Sequence, residues 1–191
     1  MIPIEYRRGD LFKTVPDGLM DDHVAFICHV CNDIGAWGAG FVLALNKHYP
    51  KAQEEYLKWH HGEEVPIAVP MELGVTQFVD VAPNVVVCNM IAQQGIGRAR
   101  PLRYNALASC MDHVARVMEA SKLCRDGKSM VMDMQKVDHQ PEIHAPFFGA
   151  GLAGGDWNFV EQLIVDCWCR NDIRVVIYCL GGKKPAGWVE K

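Results

Sequence analysis

The sequence predicts an α/β sandwich with a mostly parallel central sheet. Three observations support this fold class. Short apolar runs alternate with segments of helical period, which is the pattern of strands joined by crossover helices. Half of the 191 residues are hydrophobic, so a single compact domain can bury a substantial core. Two glycine-rich loops each follow an apolar run and precede a helical segment, where open α/β folds place their ligands.

In the first half of the chain, apolar runs and a proline set the predicted elements. Residues 2–7 predict a short first strand, and the apolar run 23–30 predicts a buried one. Residues 40–47 and 51–59 have helical period, and Pro50 separates them because proline disfavours a helix interior. The other strands predicted in this half are 65–69, 74–81 and 85–90.

The second half is predicted to hold two longer helices and two strands. Residues 102–123 have the best helical pattern, because apolar side chains recur along one side of the helix. Residues 156–169 predict an amphipathic helix with Asp156 as its N-cap. The strands are expected at 143–148 and 173–180. We expect residues 1–180 to form the domain and residues 181–191 to form a C-terminal tail.

Composition excludes several function classes. The net charge of −4, the pI near 6.0 and the lack of a long basic run argue against non-specific binding to nucleic acid. The longest apolar runs are too short to span a bilayer. The eight cysteines form no regular disulfide framework, and no signal peptide is evident. We therefore expect a cytoplasmic protein with reduced thiols and no membrane association.

The two glycine-rich loops predict the kind of ligand. The first glycine loop comprises residues 35–40, and the second glycine loop comprises residues 149–155. A glycine loop that opens a helix presents unpaired backbone N–H groups and the positive end of the helix dipole, and this combination binds phosphate. Two such loops in one domain predict a ligand held from two sides, such as a diphosphate that joins two sugars.

Other interpretations of these motifs are weaker. Gly149, Gly151 and Gly154 match the dinucleotide fingerprint, but that fold needs the loop in its first βαβ unit, and here the loop precedes the last predicted strand. Tight turns that bind no ligand are a second alternative. The spacing of Cys28 and Cys31 suits a metal, yet no second pair of ligands follows at a suitable distance. We therefore expect no metal and no cofactor.

Three polar residues are candidates for the site. His29 lies at the carboxyl end of a predicted strand, just before the first glycine loop, and Asn32 follows it. Asp10 comes after Gly9. Asp10 either caps a turn or accepts hydrogen bonds from an exocyclic amine of a ligand.

These motifs resemble the macrodomain family. They run in order along the chain as Gly-Asp-Leu-Phe from Gly9, His-Val-Cys-Asn-x-x-Gly-x-Trp-Gly-Ala-Gly from His29, and Gly-Ala-Gly-Leu from Gly149. The similarity spans about residues 2–180. It is greatest to the branch that holds the fungal ADP-ribose-1″-phosphate phosphatase and the terminal ADP-ribose protein glycohydrolase. The resemblance implies a three-layer α/β/α sandwich with a mixed, mostly parallel central sheet.

The resemblance also implies roles for individual residues. Asp10 would take the adenine amino group with Leu11 beside it, and Leu180 would help to wall the adenine. Asn32 would hold the distal ribose, and His29 matches the catalytic histidine of the phosphatase. The backbone contacts would come from the first loop at Gly38, Ala39 and Gly40, and from the second loop at Gly149, Ala150, Gly151, Leu152 and Ala153.

Two departures from the family limit the chemistry. The glycohydrolases use a lysine in the segment that corresponds to residues 92–95 and an aspartate at the position of Ala153, and this chain has neither. A lysine adduct therefore cannot form by that route. Asp156 lies three residues later and is either catalytic or a helix cap.

The sequence therefore predicts a macrodomain that binds ADP-ribose or ADP-ribose-1″-phosphate and hydrolyses the latter to ADP-ribose and phosphate. His29, Asn32 and Asp156 are the candidate catalytic residues. One alternative is a non-catalytic reader or sponge of ADP-ribose or of a nucleotide derived from it. The other is a hydrolase that removes ADP-ribosyl groups by a water-based mechanism.

Overall fold

Six strands form one sheet in the computed structural model, which describes residues 1–18, 23–63, 69–97, 101–123 and 140–180. The order of the strands across the sheet is β1-β6-β5-β2-β4-β3. Every neighbouring pair is parallel except β3 and β4, which form an antiparallel hairpin at one edge. The strands are β1 (Glu5–Arg8), β2 (His23–Asn32), β3 (Thr76–Ala82), β4 (Val85–Gln93), β5 (Gln140–Pro146) and β6 (Arg174–Cys179).

Helices cover both faces of this sheet. Side chains alternate between the faces along each strand, so β2 sends Phe26 and Cys28 to one core and Ala25 and Ile27 to the other. The first core packs against the two helices of the second half of the chain, and the second core packs against the three helices of the first half. The helices are α1 (Leu11–Gly18), α2 (Phe41–His48), α3 (Lys51–His60), α4 (Tyr104–Leu123) and α5 (Trp157–Cys167), with a short 3-10 turn at Cys169–Asn171.

This architecture confirms the predicted mixed, mostly parallel α/β sandwich. The buried strand β2, the proline break between α2 and α3 and the long helix α4 all lie within a few residues of their predicted positions. Asn84 makes the turn between β3 and β4 with a left-handed φ of 59°. Residues 65–68 of the strand predicted at 65–69, and the predicted tail at 181–191, lie outside the described residues.

Helix α1 is the element that the sequence patterns did not predict. Asp10 caps it, because its Oδ1 accepts a hydrogen bond of 3.0 Å from the N–H of Phe12. Leu11, Phe12 and Val15 are buried and pack into the second core. The helix has only eight residues, and Pro16 lies within it, so its periodic signal is short and interrupted.

The described residues include seven of the cysteines, and all seven are free thiols. None of the helices in the described ranges combines the length and the apolar character that crossing a lipid bilayer requires.

An ionic cluster around the buried carboxylate of Glu142 joins β2, β5 and β6. Oε1 of Glu142 lies 3.0 Å from Nε2 of His144 and 3.5 Å from Nδ1 of His23, and Oε2 accepts a hydrogen bond of 2.6 Å from Arg174. Burial alone would raise the pKa of Glu142. The hydrogen bond from His144 and the positive charges nearby outweigh it and lower the pKa to about 2. The ionised carboxylate therefore stabilises the folded state.

We expect Glu142→Gln to lower the free energy of unfolding by about 3 kcal/mol at neutral pH. The substitution removes the negative charge of the carboxylate that binds both His144 and Arg174. The pKa of Glu142 in the folded state lies below its ordinary value of 4.5. The stabilisation by the ionised Glu142 carboxylate is therefore complete above that pH and is lost as the pH falls towards about 2. Urea denaturation of both proteins across this pH range measures it.

The control is Asp112→Asn, which removes an exposed ion pair with Arg116 on α4. We expect it to change the free energy of unfolding by less than about 0.5 kcal/mol. A destabilisation by Glu142→Gln that stays the same at every pH would contradict the assigned role of the carboxylate.

Candidate functional site

The two glycine loops lie side by side at the carboxyl edge of the sheet. The first loop follows β2 and the second follows β5, and these strands are parallel neighbours. Both loops therefore begin at the same edge of the sheet. The loops also approach each other directly, because Cδ1 of Leu152 lies 3.2 Å from the position that a Cβ on Gly40 would occupy. The structure thus brings together the two loops that the sequence singled out.

The side chain of Asn32 sets the path of the first glycine loop. Its Oδ1 accepts hydrogen bonds from the N–H of Ala36 (2.9 Å) and of Ile34 (3.2 Å), and its Nδ2 donates to the carbonyl of Ala36 (2.6 Å). The hydroxyl of Tyr56 on α3 donates to the backbone carbonyl of Asn32 at 2.7 Å. Asn32 is therefore committed to organising the loop, and its predicted contact with a ribose stays a prediction.

The end of the first loop offers hydrogen-bond donors to solvent. Gly38, Ala39 and Gly40 are exposed, and their N–H groups have no acceptor among the described residues. Gly40 has a φ of 76° and stands at the N-cap position of α2, a backbone conformation that favours glycine. The N-terminus of α2 therefore adds its dipole to these donors.

The second glycine loop is a tight turn held by its own backbone. Gly154 donates to the carbonyl of Gly151 at 3.0 Å, and Gly155 donates to that of Gly149 at 2.9 Å. Within the described ranges, no group accepts from the N–H of residues 150–152. Gly151 and Leu152 are exposed, the latter by 69%. The turn thus leaves a second set of donors open beside the first.

Asp10 and Leu180 come together at the other end of the same edge. The N–H of Gly9 donates to the carbonyl of Cys179 at 3.3 Å, which joins the ends of β1 and β6. Asp10 uses Oδ1 as the cap of α1, while its Oδ2 has no partner in the described part of the chain. Leu180 is 68% exposed. Leu11 is buried in the second core, so its side chain does not line this surface.

His29 lies beneath the first loop and is not exposed at the carboxyl edge of the sheet. Its side chain is only 2% exposed, and its Nε2 is 2.7 Å from Oδ1 of Asn89. The rings of Trp37 and Phe41 pack against it. Burial lowers the pKa of His29 to about 4, although the hydrogen bond to Asn89 opposes this shift. The ring is therefore neutral at physiological pH, and a substrate would reach it only if these covering side chains moved.

Asp156 is the N-cap of α5, which confirms one of its two predicted roles. Its Oδ1 accepts a hydrogen bond of 2.8 Å from the N–H of Asn158, and its own N–H donates to the hydroxyl of Tyr104 at 2.7 Å. The catalytic role stays a prediction. Ala153 is buried, and its carbonyl accepts from the N–H of Leu102 at 3.1 Å.

Three residues of the site were missed by the sequence patterns. Tyr56 anchors Asn32 from α3, and Asn89 binds His29 from β4. Asp33 accepts a hydrogen bond of 2.6 Å from the N–H of Gly95, which ties the ends of β2 and β4 together. Only Asn89 carries a sequence signal, since it is an amide within the otherwise apolar run of residues 85–92.

The described residues contain no group of three or more histidine, cysteine, aspartate or glutamate side chains that could hold a metal ion. The candidate donors are the backbone N–H groups of the two loops, and Asp10 is the charged side chain at the other end of the edge.

A solved structure of a macrodomain protein from Streptomyces coelicolor is similar to this chain. The two share 36% sequence identity and a TM-score of 0.69, over 93% of this chain and 99% of that one. The chain belongs to the macrodomain family, as its motifs predicted. Comparison with models of known protein families gives no match.

Two further proteins are similar to this chain. A protein of unknown function from Bacteroides thetaiotaomicron shares 36% identity and a TM-score of 0.73, over 93% of this chain and 98% of its own. An ADP-ribose 1″-phosphate phosphatase from Candida albicans shares 23% identity over 164 residues, which cover 84% of this chain and 91% of that protein.

Two glycines of the second loop should respond differently to the same substitution. A Cβ on Gly155 would lie 2.3 Å from Cδ2 of Leu102 and 2.7 Å from the carbonyl oxygen of Gly149, whereas one on Gly151 would meet nothing within 4 Å. We expect Gly155→Ala to lower the free energy of unfolding by about 1–3 kcal/mol and Gly151→Ala to change it by less than about 0.5 kcal/mol. Chemical denaturation measures both. Equal effects would show that the turn is not packed as described.

Proposed function

We propose that this protein binds ADP-ribose and removes the phosphate from ADP-ribose-1″-phosphate. The observation that carries the proposal is the pair of adjacent glycine loops, each with exposed N–H groups that have no acceptor among the described residues. Such donors bind phosphate without a metal ion. The name of the Candida albicans relative supports the same substrate.

The order of the strands suits the length of this ligand. Asp10 follows β1, Leu180 follows β6, and the two glycine loops follow β5 and β2, which is the order of these strands across the sheet. Three strand spacings, about 14 Å, separate β1 from β2. An extended ADP-ribose would place its adenine at Asp10, its diphosphate at the second loop and its distal ribose at the first loop.

The first loop is the proposed place of the reaction. Water attacks the phosphorus of the 1″-phosphate, and the bond between phosphorus and the sugar oxygen breaks. The attacking water gives up one proton, and the sugar oxygen takes up one, so the protons balance. Donors at residues 38–40 would stabilise the negative charge that develops on the transferred phosphoryl group. The products are ADP-ribose and inorganic phosphate.

A phosphate-release assay with ADP-ribose-1″-phosphate, run in parallel with calorimetry, tests the proposal. We expect a dissociation constant for ADP-ribose in the micromolar range or below, about −8 kcal/mol, and release of phosphate by the wild-type protein. No detectable binding at millimolar ADP-ribose would overturn the proposed function.

One observation favours a second candidate function, a non-catalytic reader of ADP-ribose. The histidine predicted to be catalytic is buried and neutral, so it does not offer an acid or a base to a ligand at residues 38–40. A reader would bind both ligands and release no phosphate. A further assay with glutamate-linked ADP-ribose tests the water-based hydrolase. We expect the protein to release little ADP-ribose from this substrate.

We expect Asp10→Asn to weaken ADP-ribose binding by about 1.5–3 kcal/mol, because an amide replaces the carboxylate oxygen available to the adenine amino group. Asparagine caps a helix as well as aspartate does, so the stability of α1 is retained. The matched ligand is the hypoxanthine analogue, in which an exocyclic carbonyl oxygen, an acceptor, replaces the amino group of adenine. The variant should prefer this analogue, and calorimetry measures both. If the variant still prefers adenine over hypoxanthine as the wild type does, the adenine does not bind at Asp10.

We expect Gly151→Glu to weaken ADP-ribose binding about tenfold more than Gly151→Gln does, because the two side chains have the same size and only the carboxylate repels the diphosphate. The free protein has open space at this position, so both variants should fold. Calorimetry of the two variants measures the ratio. Equal affinities would remove the second loop from the phosphate site.

A further inference from the structure

Three buried polar side chains form one row across the sheet beneath the first glycine loop. His29 on β2 is in register with Asn89 on β4, and Asn89 is in register with Gln77 on β3. All three are buried. We call these residues the polar row.

Hydrogen bonds fix the orientation of each member of the polar row. Gln77 Nε2 donates to the carbonyl of Glu55 on α3 at 2.9 Å, so its Oε1 faces Asn89 and accepts from Nδ2 at 2.9 Å. The same Nδ2 donates to the carbonyl of Ala52 at 3.3 Å. Oδ1 of Asn89 therefore faces His29, and the Nε2–H of the ring donates to it. Two carbonyls of α3 thus orient the amide whose oxygen accepts from Nε2 of His29.

The ring of His29 contacts the residues on both sides of the proposed phosphate donors. Trp37 directly precedes Gly38, and its ring meets the imidazole edge-on with centroids 5.5 Å apart. Phe41 directly follows Gly40, and its ring centroid lies 5.6 Å from that of the imidazole. The ends of the segment that supplies the donors therefore rest on one ring.

Burying the polar row in the core costs free energy. Amide and imidazole groups lose free energy on burial unless they are hydrogen-bonded, and apolar side chains would fill the same space without that requirement. A fully bonded row does hold its last member in one orientation. Here the last member is the ring on which the loop rests.

We propose that the polar row holds the first glycine loop in its binding conformation, and that His29 is a positioning residue of the ADP-ribose site and not its acid or base. The proposal rests on the proposed function for the identity of the ligand. It predicts that what the loop needs from position 29 is a side chain that fills the space and donates to Asn89, which glutamine can also do.

The experiment compares His29→Ala with His29→Gln. Glutamine keeps a donor for Asn89 but cannot exchange a proton in catalysis. The first readout is hydrogen exchange in the free protein at the amides of Ala36 and Leu43, which are hydrogen-bonded on either side of residues 38–40. The second and third are the affinity for ADP-ribose and the release of phosphate from ADP-ribose-1″-phosphate. Met90→Ala is the control, because it empties space in the opposite core next to Asn89 and destabilises without touching the row.

We expect His29→Ala to speed exchange at both amides and to weaken ADP-ribose binding, each by about tenfold or more. His29→Gln should stay within about threefold of the wild type in all three readouts. Met90→Ala should leave exchange at these two amides close to the wild-type rate. If His29→Ala does not fold, Gln77→Met should speed the same exchange. This variant removes the link to Glu55 and the acceptor that Gln77 offers to Asn89, and it leaves the hydrogen bond from Asn89 to Ala52.

Two outcomes would overturn the proposal. In the first, exchange at Ala36 and Leu43 is the same in the wild type, in His29→Ala and in Gln77→Met. In the second, His29→Gln binds ADP-ribose normally but loses about 10²–10⁴-fold in turnover, which is the mark of an acid or base. Failure of the wild type to bind ADP-ribose would instead overturn the proposed function, and the exchange measurement would still decide on the polar row.

Discussion

The candidate site depends on the hydrogen bonds between the side-chain amide of Asn32 and the backbone of the first glycine loop and the residues before it. This amide forms hydrogen bonds with the backbone at Ile34 and Ala36. The backbone carbonyl of Asn32 in turn accepts a hydrogen bond from the hydroxyl of Tyr56 on α3. A glycine-rich segment has a large conformational entropy to lose when it becomes ordered. These bonds are made inside the protein before any ligand arrives. The N–H groups of residues 38–40 can therefore face the cleft without each ligand having to order the loop.

The sheet supplies the second constraint, because it decides which loops become neighbours. Loops far apart in the sequence meet at the carboxyl edge since β2 and β5 are adjacent, and Asp10 meets Leu180 since β1 pairs with β6. The contact between Leu152 and Gly40 follows from this strand order. A different order would leave two glycine loops with no common ligand.

The sequence predicted the parts of the fold that depend on local pattern. Alternating strands and helices, the break at Pro50 and the cap at Asp156 are local signals, and each agrees with the structure. Helix α1 was missed because its short apolar pattern contains Pro16. The resemblance supplied the order of the motifs, and the confirmed fold places both loops at one edge.

What the sequence could not predict depends on long-range register. Nothing local indicates that Asn89 and Gln77 lie level with His29, because that follows from how three strands pair. The same applies to Tyr56, which reaches Asn32 from a helix 24 residues away. A histidine at a strand end before a glycine loop suggests chemistry from its position alone. Its burial, which no local pattern reports, is what changes the interpretation.

Backbone donors suit a protein of this charge. The chain carries a net charge of −4, so its long-range field does not attract a diphosphate. N–H groups at a helix terminus act over a few ångströms and are felt by a ligand only within the cleft. Recognition of a diphosphate must then come from the accurate placement of neutral N–H groups and not from positive charge. Contacts from β2, β4 and α3 converge on the first glycine loop. Under the proposed function, the order that they impose on this loop is the property on which binding depends.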